Sequence, residues 1–159
     1  CMRISMNILT NREDSEENVS DTYLRIWNSV PPQRPHFLAA FLGRIARNLA
    51  LNRRAAANAE KRGGGEAELS LEELAECLPS GSEPQSEAEA AAFSHVLSDF
   101  LRTESKDARQ VFLQRYFECR PVAQIAGHFG FSESKVKSML MRTRTRLAQY
   151  LIREGWSDE

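Results

Sequence analysis

The stretch RPVAQIAGHFGFSESKVKSMLMRTRTRLAQYL, Arg120 to Leu151, leaves the chain little choice of local structure. Val122, Ile125, Ala126 and Phe129 recur at helical spacing, which gives a short helix one apolar face. Gly130 follows at once, the residue type that most readily leaves a helix in a left-handed conformation. Ser132 is then placed to cap a second helix, its oxygen accepting from backbone amides that would otherwise lack partners. In that helix Val136, Met139, Leu140, Thr143, Leu147 and Tyr150 fall on one side, and Ser134, Lys137, Ser138, Met141, Arg142 and Thr145 on the remaining face. Small Ala126 at the crossing, Gly130 in the turn and Val136 packing back give the layout of a DNA-binding helix-turn-helix. An ordinary helical hairpin with a solvated basic face is the competing reading. Agreement of spacing, turn and exposed charge favours the DNA-binding one.

With 159 residues the chain has room for one domain or two small ones. No apolar run is long enough to span a bilayer, and no signal-peptide pattern opens the sequence, so membrane insertion is not expected. Cys1, Cys77 and Cys119 are too few and too widely spaced for a disulfide framework or a zinc site, which fits a reducing cytoplasm. His36, His95 and His128 have no ligand spacing; no metal, cofactor or catalytic constellation is indicated, and an enzyme is not expected.

A formal net charge of -1 conceals strong segregation. Arg44, Arg47, Arg53, Arg54, Lys61 and Arg62 form one basic block, and Lys135, Lys137, Arg142, Arg144 and Arg146 another. Between them lie Glu66, Glu68, Glu72, Glu73, Glu76, Glu83, Glu87 and Glu89. Two basic blocks on either side of an acidic connector suggest two contacts with nucleic acid.

Residues 1–9 read as the end of a helix, and Asp14 with Glu17 resembles a capping box that opens the next, running to about Ser29. Val19, Tyr23, Ile26, Trp27 and Val30 are its expected buried stripe, with Glu17, Asp21, Leu24 and Asn28 pointing elsewhere. After Pro31, Pro32 and Pro35 a long helix is expected from about His36 to Lys61, with Phe37, Leu38, Phe41, Leu42, Ile45 and Leu49 inward. Arg44, Arg47 and Arg54 lie along its flank, with Asn48 at the stripe's edge and Asn52 and Arg53 beyond, types suited to phosphate and base-edge contacts. Gly63-Gly64-Gly65 ends it without the Lys-Ser/Thr of a phosphate loop. Leu69, Leu71, Leu74 and Leu78 suggest a short, weakly docked helix, and Pro79 to Pro84 is flexible by composition. Helix resumes near Ser86, breaks near Thr103, and continues through Ala108, Val111, Phe112, Arg115 and Tyr116. No strand is expected. The fold class is all-α, two small helical domains joined by an acidic flexible linker.

In this order the segments resemble a bacterial RNA polymerase sigma factor of the sigma-70 family, in its compact extracytoplasmic-function (ECF) group. NREDSEENVSDTYLRIWNSV is similar to the region-two helix that grips the β′ clamp helices of core polymerase. FLAAFLGRIARNLALNRRAAANAEKR is similar to the helix that opens and reads the minus-ten element, and VFLQRYFECRPVAQIAGHFGFSESKVKSMLMRTRTRLAQYL to region four, which reads the minus-thirty-five element. The resemblance implies a region-two-like domain at 1–62, an acidic linker at 63–85 threading the RNA exit path, and a region-four-like domain at 86–159. By position it implies polymerase contacts from Glu17, Asp21, Leu24, Arg25 and Asn28, with Trp27 packing rather than contacting. It implies minus-ten contacts from Arg44, Arg47, Asn48, Asn52, Arg53 and Arg54, and minus-thirty-five contacts from Ser132, Ser134, Lys135, Lys137, Ser138 and Arg142. The base-capturing loop falls near Val30 to His36. Implied partners are core RNA polymerase through the β′ clamp helices and β flap, promoter DNA, and an anti-sigma factor of the kind common in this group, though no residue names one. No cofactor is implied.

Two departures stand out. The family's complete opening helix is begun part-way here, so a fragment or a shortened gene product is expected. Its common glutamine in the gripping helix is Ser20. The alternative function is a stand-alone helix-turn-helix regulator that binds duplex DNA as a dimer; it accounts for Arg120 to Leu151 but not for the arginine-rich first domain or the acidic connector.

Overall fold

Serine caps at three helix starts and left-handed residues at two helix ends help to divide the chain into helices. In the computed structural model these are α1 (Met2–Leu9), α2 (Arg12–Ser29), α3 (Leu38–Asn58), α4 (Glu66–Ala75), α5 (Glu87–Thr103), α6 (Lys106–Phe112), a π-helical turn (Leu113–Phe117), α7 (Val122–Phe129) and α8 (Glu133–Arg153). The structure describes residues 1–29, 35, 38–58, 66–78 and 86–156, without the side chains of Asn58, Ala67, Glu68 and Glu87. Among the described residues there is no strand, and the protein is all-α. The expectations for Val30, the loop to His36 other than Pro35, Phe37, Lys61, Arg62, Gly63-Gly64-Gly65, Pro79 to Pro84 and Glu83 lie outside the described residues. The helices fall into two units, Cys1–Leu69 with Phe117–Arg120, and Ser70–Tyr116 with Pro121–Glu159.

The first unit is a three-helix cluster of α1, α2 and α3. α1 ends at Thr10, which takes the left-handed conformation at φ 59° while its amide donates to Met6 O at 3.0 Å. α2 begins earlier than the expected Asp14–Glu17 box: Asn11 Oδ1 accepts from the Glu13 amide at 2.9 Å, and Asp14 sits inside the first turn. There its charge complements the exposed amides of the helix start.

The expected buried stripe of α2 is wrong. The buried residues are Ser15, Asn18 and Thr22, with Val19 and Ile26 at the border, whereas Tyr23 is 58% exposed and Trp27 82%. Small side chains with local acceptors make this seam possible. Ser15 donates to Asn11 O at 2.6 Å and Thr22 to Asn18 O at 2.7 Å. Asn18 Nδ2 donates to Ser5 Oγ and to Ala46 O, both at 2.9 Å. α3 follows the same rule. Its buried line is Gly43, Ala46 and Ala50, while Phe41, Leu42, Ile45 and Leu49 are half-buried and Leu38 is exposed. A Cβ on Gly43 would lie 3.3 Å from the Phe117 ring, so a larger residue there would require the ring to give by a few tenths of an ångström. Ile4, Ile8, Ala50 and Cys119 make the apolar part of this core.

In the second unit Ser86, Ser105 and Ser132 accept from the amides of Glu89, Ala108 and Lys135 at 3.2, 3.2 and 3.1 Å, opening α5, α6 and α8. Gly130 ends α7 at φ 67°, and the Phe131 amide reaches back to Ala126 O at 3.0 Å. α5, α6 and α7 all pack on α8. Phe100, Val111, Ile125, Val136, Leu147 and Leu151 fill the centre. Leu74 and Leu78, on and after α4, pack against the same core, whereas Leu69 is 48% exposed.

Candidate nucleic-acid interface

The recognition face expected on α8 is open. Val136, Leu140, Thr143 and Leu147 are buried, which turns Ser134, Lys137, Met141, Arg142 and Thr145 outward and leaves Ser138 half-buried. This side of a helix following a tight turn is the one that can enter a major groove. Lys137 and Arg142, one helical turn and a residue apart, are its exposed cations. Arg142 can reach a guanine edge with two donors, and Lys137 can supply a point charge.

The other cations of this basic block have partners within the unit. The Lys135 ammonium lies 3.5 Å from the centroid of the Phe131 ring, which itself stacks on Phe129 at 5.5 Å. Ser132 uses an oxygen lone pair on the cap, though its hydroxyl can still donate. Arg146 Nε donates to Glu104 Oε1 at 2.8 Å. Arg144 lies 3.7 Å from Glu73 Oε2 and hydrogen-bonds Tyr116.

Glu73 of α4 is the hub of that last group. Arg115, 3% exposed, donates through Nη2 to Oε1 at 2.7 Å and through Nε to Oε2 at 3.2 Å; the Tyr116 hydroxyl adds a bond at 3.3 Å. Burial alone would raise the Glu73 pKa, but Arg115, Arg144 and Tyr116 together hold it below the ordinary carboxylate value. The sequence reading missed this cluster. Its signal was Arg115 within an otherwise apolar helical stripe, since an arginine there demands a buried acid.

The first unit carries the other basic helix. Arg44, Asn48 and Asn52 are exposed at four-residue intervals and form one line along α3. The other candidates are held. Arg47 donates through Nε to Phe117 O at 3.1 Å, and its burial lowers its pKa. Arg54 donates to Ile8 O at the end of α1, where a cation complements the helix dipole. Arg53 Nη1 lies 2.9 Å from Glu17 Oε2, and its Nη2 bonds the Asp21 carboxylate.

Glu17, Asp21, Leu24 and Asn28 follow one another at helical intervals along α2, with Arg25 beside them. Glu17, Leu24, Arg25 and Asn28 are exposed and Asp21 half-exposed. The expectation that Trp27 packs inward is overturned. Trp27, Leu24 and Tyr23 form an outward apolar face next to the acids, because the polar seam of Ser15, Asn18 and Thr22 takes the inner side. Exposed aromatic and aliphatic groups on the same helix face as acids are the composition of a protein-binding surface. Among the described residues no cluster of His, Cys, Asp or Glu could hold a metal ion, and no helix is long and apolar enough to cross a membrane.

Residues 1–60 match the family Sigma-70 region 2, and residues 105–147 match Sigma-70, region 4. The chain belongs to the sigma-70 family. The two matches fall on α1–α3 and on α6–α8, the helices that carry the exposed faces above. A sigma-70 factor is a transcription initiation factor and not an enzyme; its two regions bind core RNA polymerase and promoter DNA. No individual curated protein matches the chain.

Proposed function

We propose that this chain is a sigma factor of the ECF type, acting in the cytoplasm to direct core RNA polymerase to its promoters. The observation that carries the polymerase contact is the outward face of α2, where Leu24 and Trp27 are 60% and 82% exposed beside Glu17 and Asp21. The β′ clamp helices are its partner, with Arg25 and Asn28 at the border. Residues 61–104, between the two family matches, are too few for a further domain of the usual 50 or so residues, which supports the two-region ECF organisation.

In this reading 1–62 binds polymerase and the minus-ten element, 63–85 is the connector, and 86–159 binds the minus-thirty-five element and the β flap. α8 reads the upstream duplex through Ser134, Lys137, Ser138 and Arg142, with Ser132 and Lys135 at its start. α3 receives the melted strand along Arg44, Asn48 and Asn52; Arg47 and Arg54 support that helix from within. Melting draws on binding free energy spread over these contacts, with aromatic and cationic groups taking the unstacked strand. An anti-sigma factor would compete for the same α2 face.

Co-elution of the purified chain with bacterial core polymerase on a sizing column tests the reading. A stoichiometric complex that starts transcription at a promoter is the expected result. A chain that binds duplex DNA alone and ignores polymerase would instead be a stand-alone regulator.

A further inference from the structure

Arg53 stands between two surfaces that the proposed function gives to different partners. It is carried by α3 next to exposed Asn52, yet its guanidinium crosses to α2 and is held by both Glu17 and Asp21. The pair of acids belongs to the polymerase-facing row, and the arginine belongs to the helix that meets DNA. The contact is open to exchange: the side chains of Glu17, Asp21 and Arg53 are 66%, 46% and 28% exposed. Each group therefore has a route to another partner without unfolding of either helix. The charges favour the contact in the free chain, with Arg53 stabilising Glu17 as the carboxylate.

We propose that Arg53 is an exchangeable arginine: Glu17 and Asp21 hold it in the free chain, and a cationic partner surface that takes those two carboxylates releases it to a nucleic-acid phosphate. The inference rests on the reading of α2 as polymerase-facing and α3 as DNA-facing. Two carboxylates that accept from basic groups of a partner no longer need the guanidinium. A freed guanidinium presents a planar fork that matches phosphate. Released, Arg53 extends the exposed row of Arg44, Asn48 and Asn52 by one cation. The two binding events then favour each other, and the coupling is reciprocal. A free chain binds single-stranded DNA weakly because this arginine is already occupied.

The test is a cycle of variants in the full chain, read by equilibrium binding of a fluorescent single-stranded oligodeoxynucleotide over a range of salt. Four proteins are compared: wild type, Arg53→Gln, Glu17→Gln with Asp21→Asn, and the combination of all three. In the wild-type background Arg53→Gln should change affinity by less than about twofold, since the arginine is held. With both acids neutralised the same change should cost about tenfold, the scale of one charge-assisted phosphate contact, and should lower the salt slope by roughly 0.7. Equal fold-losses in the two backgrounds would mean that the residues act as independent charges, and that result overturns the exchange. Circular dichroism melts of the four proteins check that the helices are retained. Co-elution of the wild type with core polymerase reports on the underlying reading separately. An additive cycle in a chain that binds polymerase rejects the exchange alone; absence of polymerase binding rejects the reading, whatever the cycle shows.

Discussion

Glu73 and Arg115 make a two-pronged contact, Oε1 to Nη2 at 2.7 Å and Oε2 to Nε at 3.2 Å, that ties the connector helix α4 to the core of the second unit. Arg115 is almost wholly buried, so Glu73→Ala leaves a cation in the core without this acid. Full burial of both partners would put the loss near 3–5 kcal/mol. Glu73 is 36% exposed, and solvent screening reduces the expected loss to about 2 kcal/mol. Thermal unfolding of Glu73→Ala checks the figure, and Glu73→Leu with Arg115→Met should recover most of it. A wild-type melting temperature in Glu73→Ala would show that α4 is not anchored through this pair.

The same carboxylate gives a pH signature. Its pKa lies below the ordinary value, so its contribution is complete above the unfolded pKa and is lost as pH falls through the folded one. Acid titration of stability should include a loss that begins at the ordinary glutamate value and runs to the lower folded one, and Glu73→Gln should lack that loss.

Tyr116 gives the opposite limb. Burial pushes its phenol up to about 12 against the pull of Arg144. A raised phenol contributes stability that is complete below the unfolded value near 10 and is lost as pH rises toward the folded one. An ultraviolet difference titration should show one late tyrosine that disappears in Tyr116→Phe. Persistence of the late step in that variant would assign it elsewhere.

Much of the second unit was legible in the sequence because one device dominated it. Gly130, Ser132 and the spacing of Val136, Leu140 and Leu147 each favour the same local structure, and no polar residue competes for the inner face of α8 apart from Thr143. α2 was misread for the converse reason. Its apolar residues are not the ones that pack: Ser15, Asn18 and Thr22 are buried through hydrogen bonds, which a hydrophobic period cannot register. The basic blocks were legible as charge but not as available charge. Arg53, Arg54, Arg144 and Arg146 are engaged by partners far away in sequence, and local spacing carries no trace of Glu104 or Ile8.

The buried seam can be probed at Asn18. Its amide nitrogen donates to Ser5 Oγ and Ala46 O, so Asn18→Asp sets acceptor against acceptor in a site without solvent. The expected loss is about 3 kcal/mol, with the denaturation slope unchanged. A shift in midpoint much below this would mean that the seam admits water.

The outward face of α2 yields the most direct functional test. Trp27 is 82% exposed, so its replacement by alanine should leave the unfolding midpoint within about 0.5 kcal/mol of wild type. Aromatic side chains near the centre of a protein interface are worth about 2 kcal/mol or more when truncated, so affinity for core polymerase should fall roughly thirtyfold. Lys137→Ala on α8 is the matching control. It should reduce transcription from promoters with an intact minus-thirty-five element, about tenfold for one lost groove contact, and leave polymerase affinity alone. The two variants then separate: one loses the enzyme complex, the other the promoter. If Trp27→Ala unfolds the protein, the tryptophan packs after all; if it folds and binds polymerase normally, the contact lies on another face.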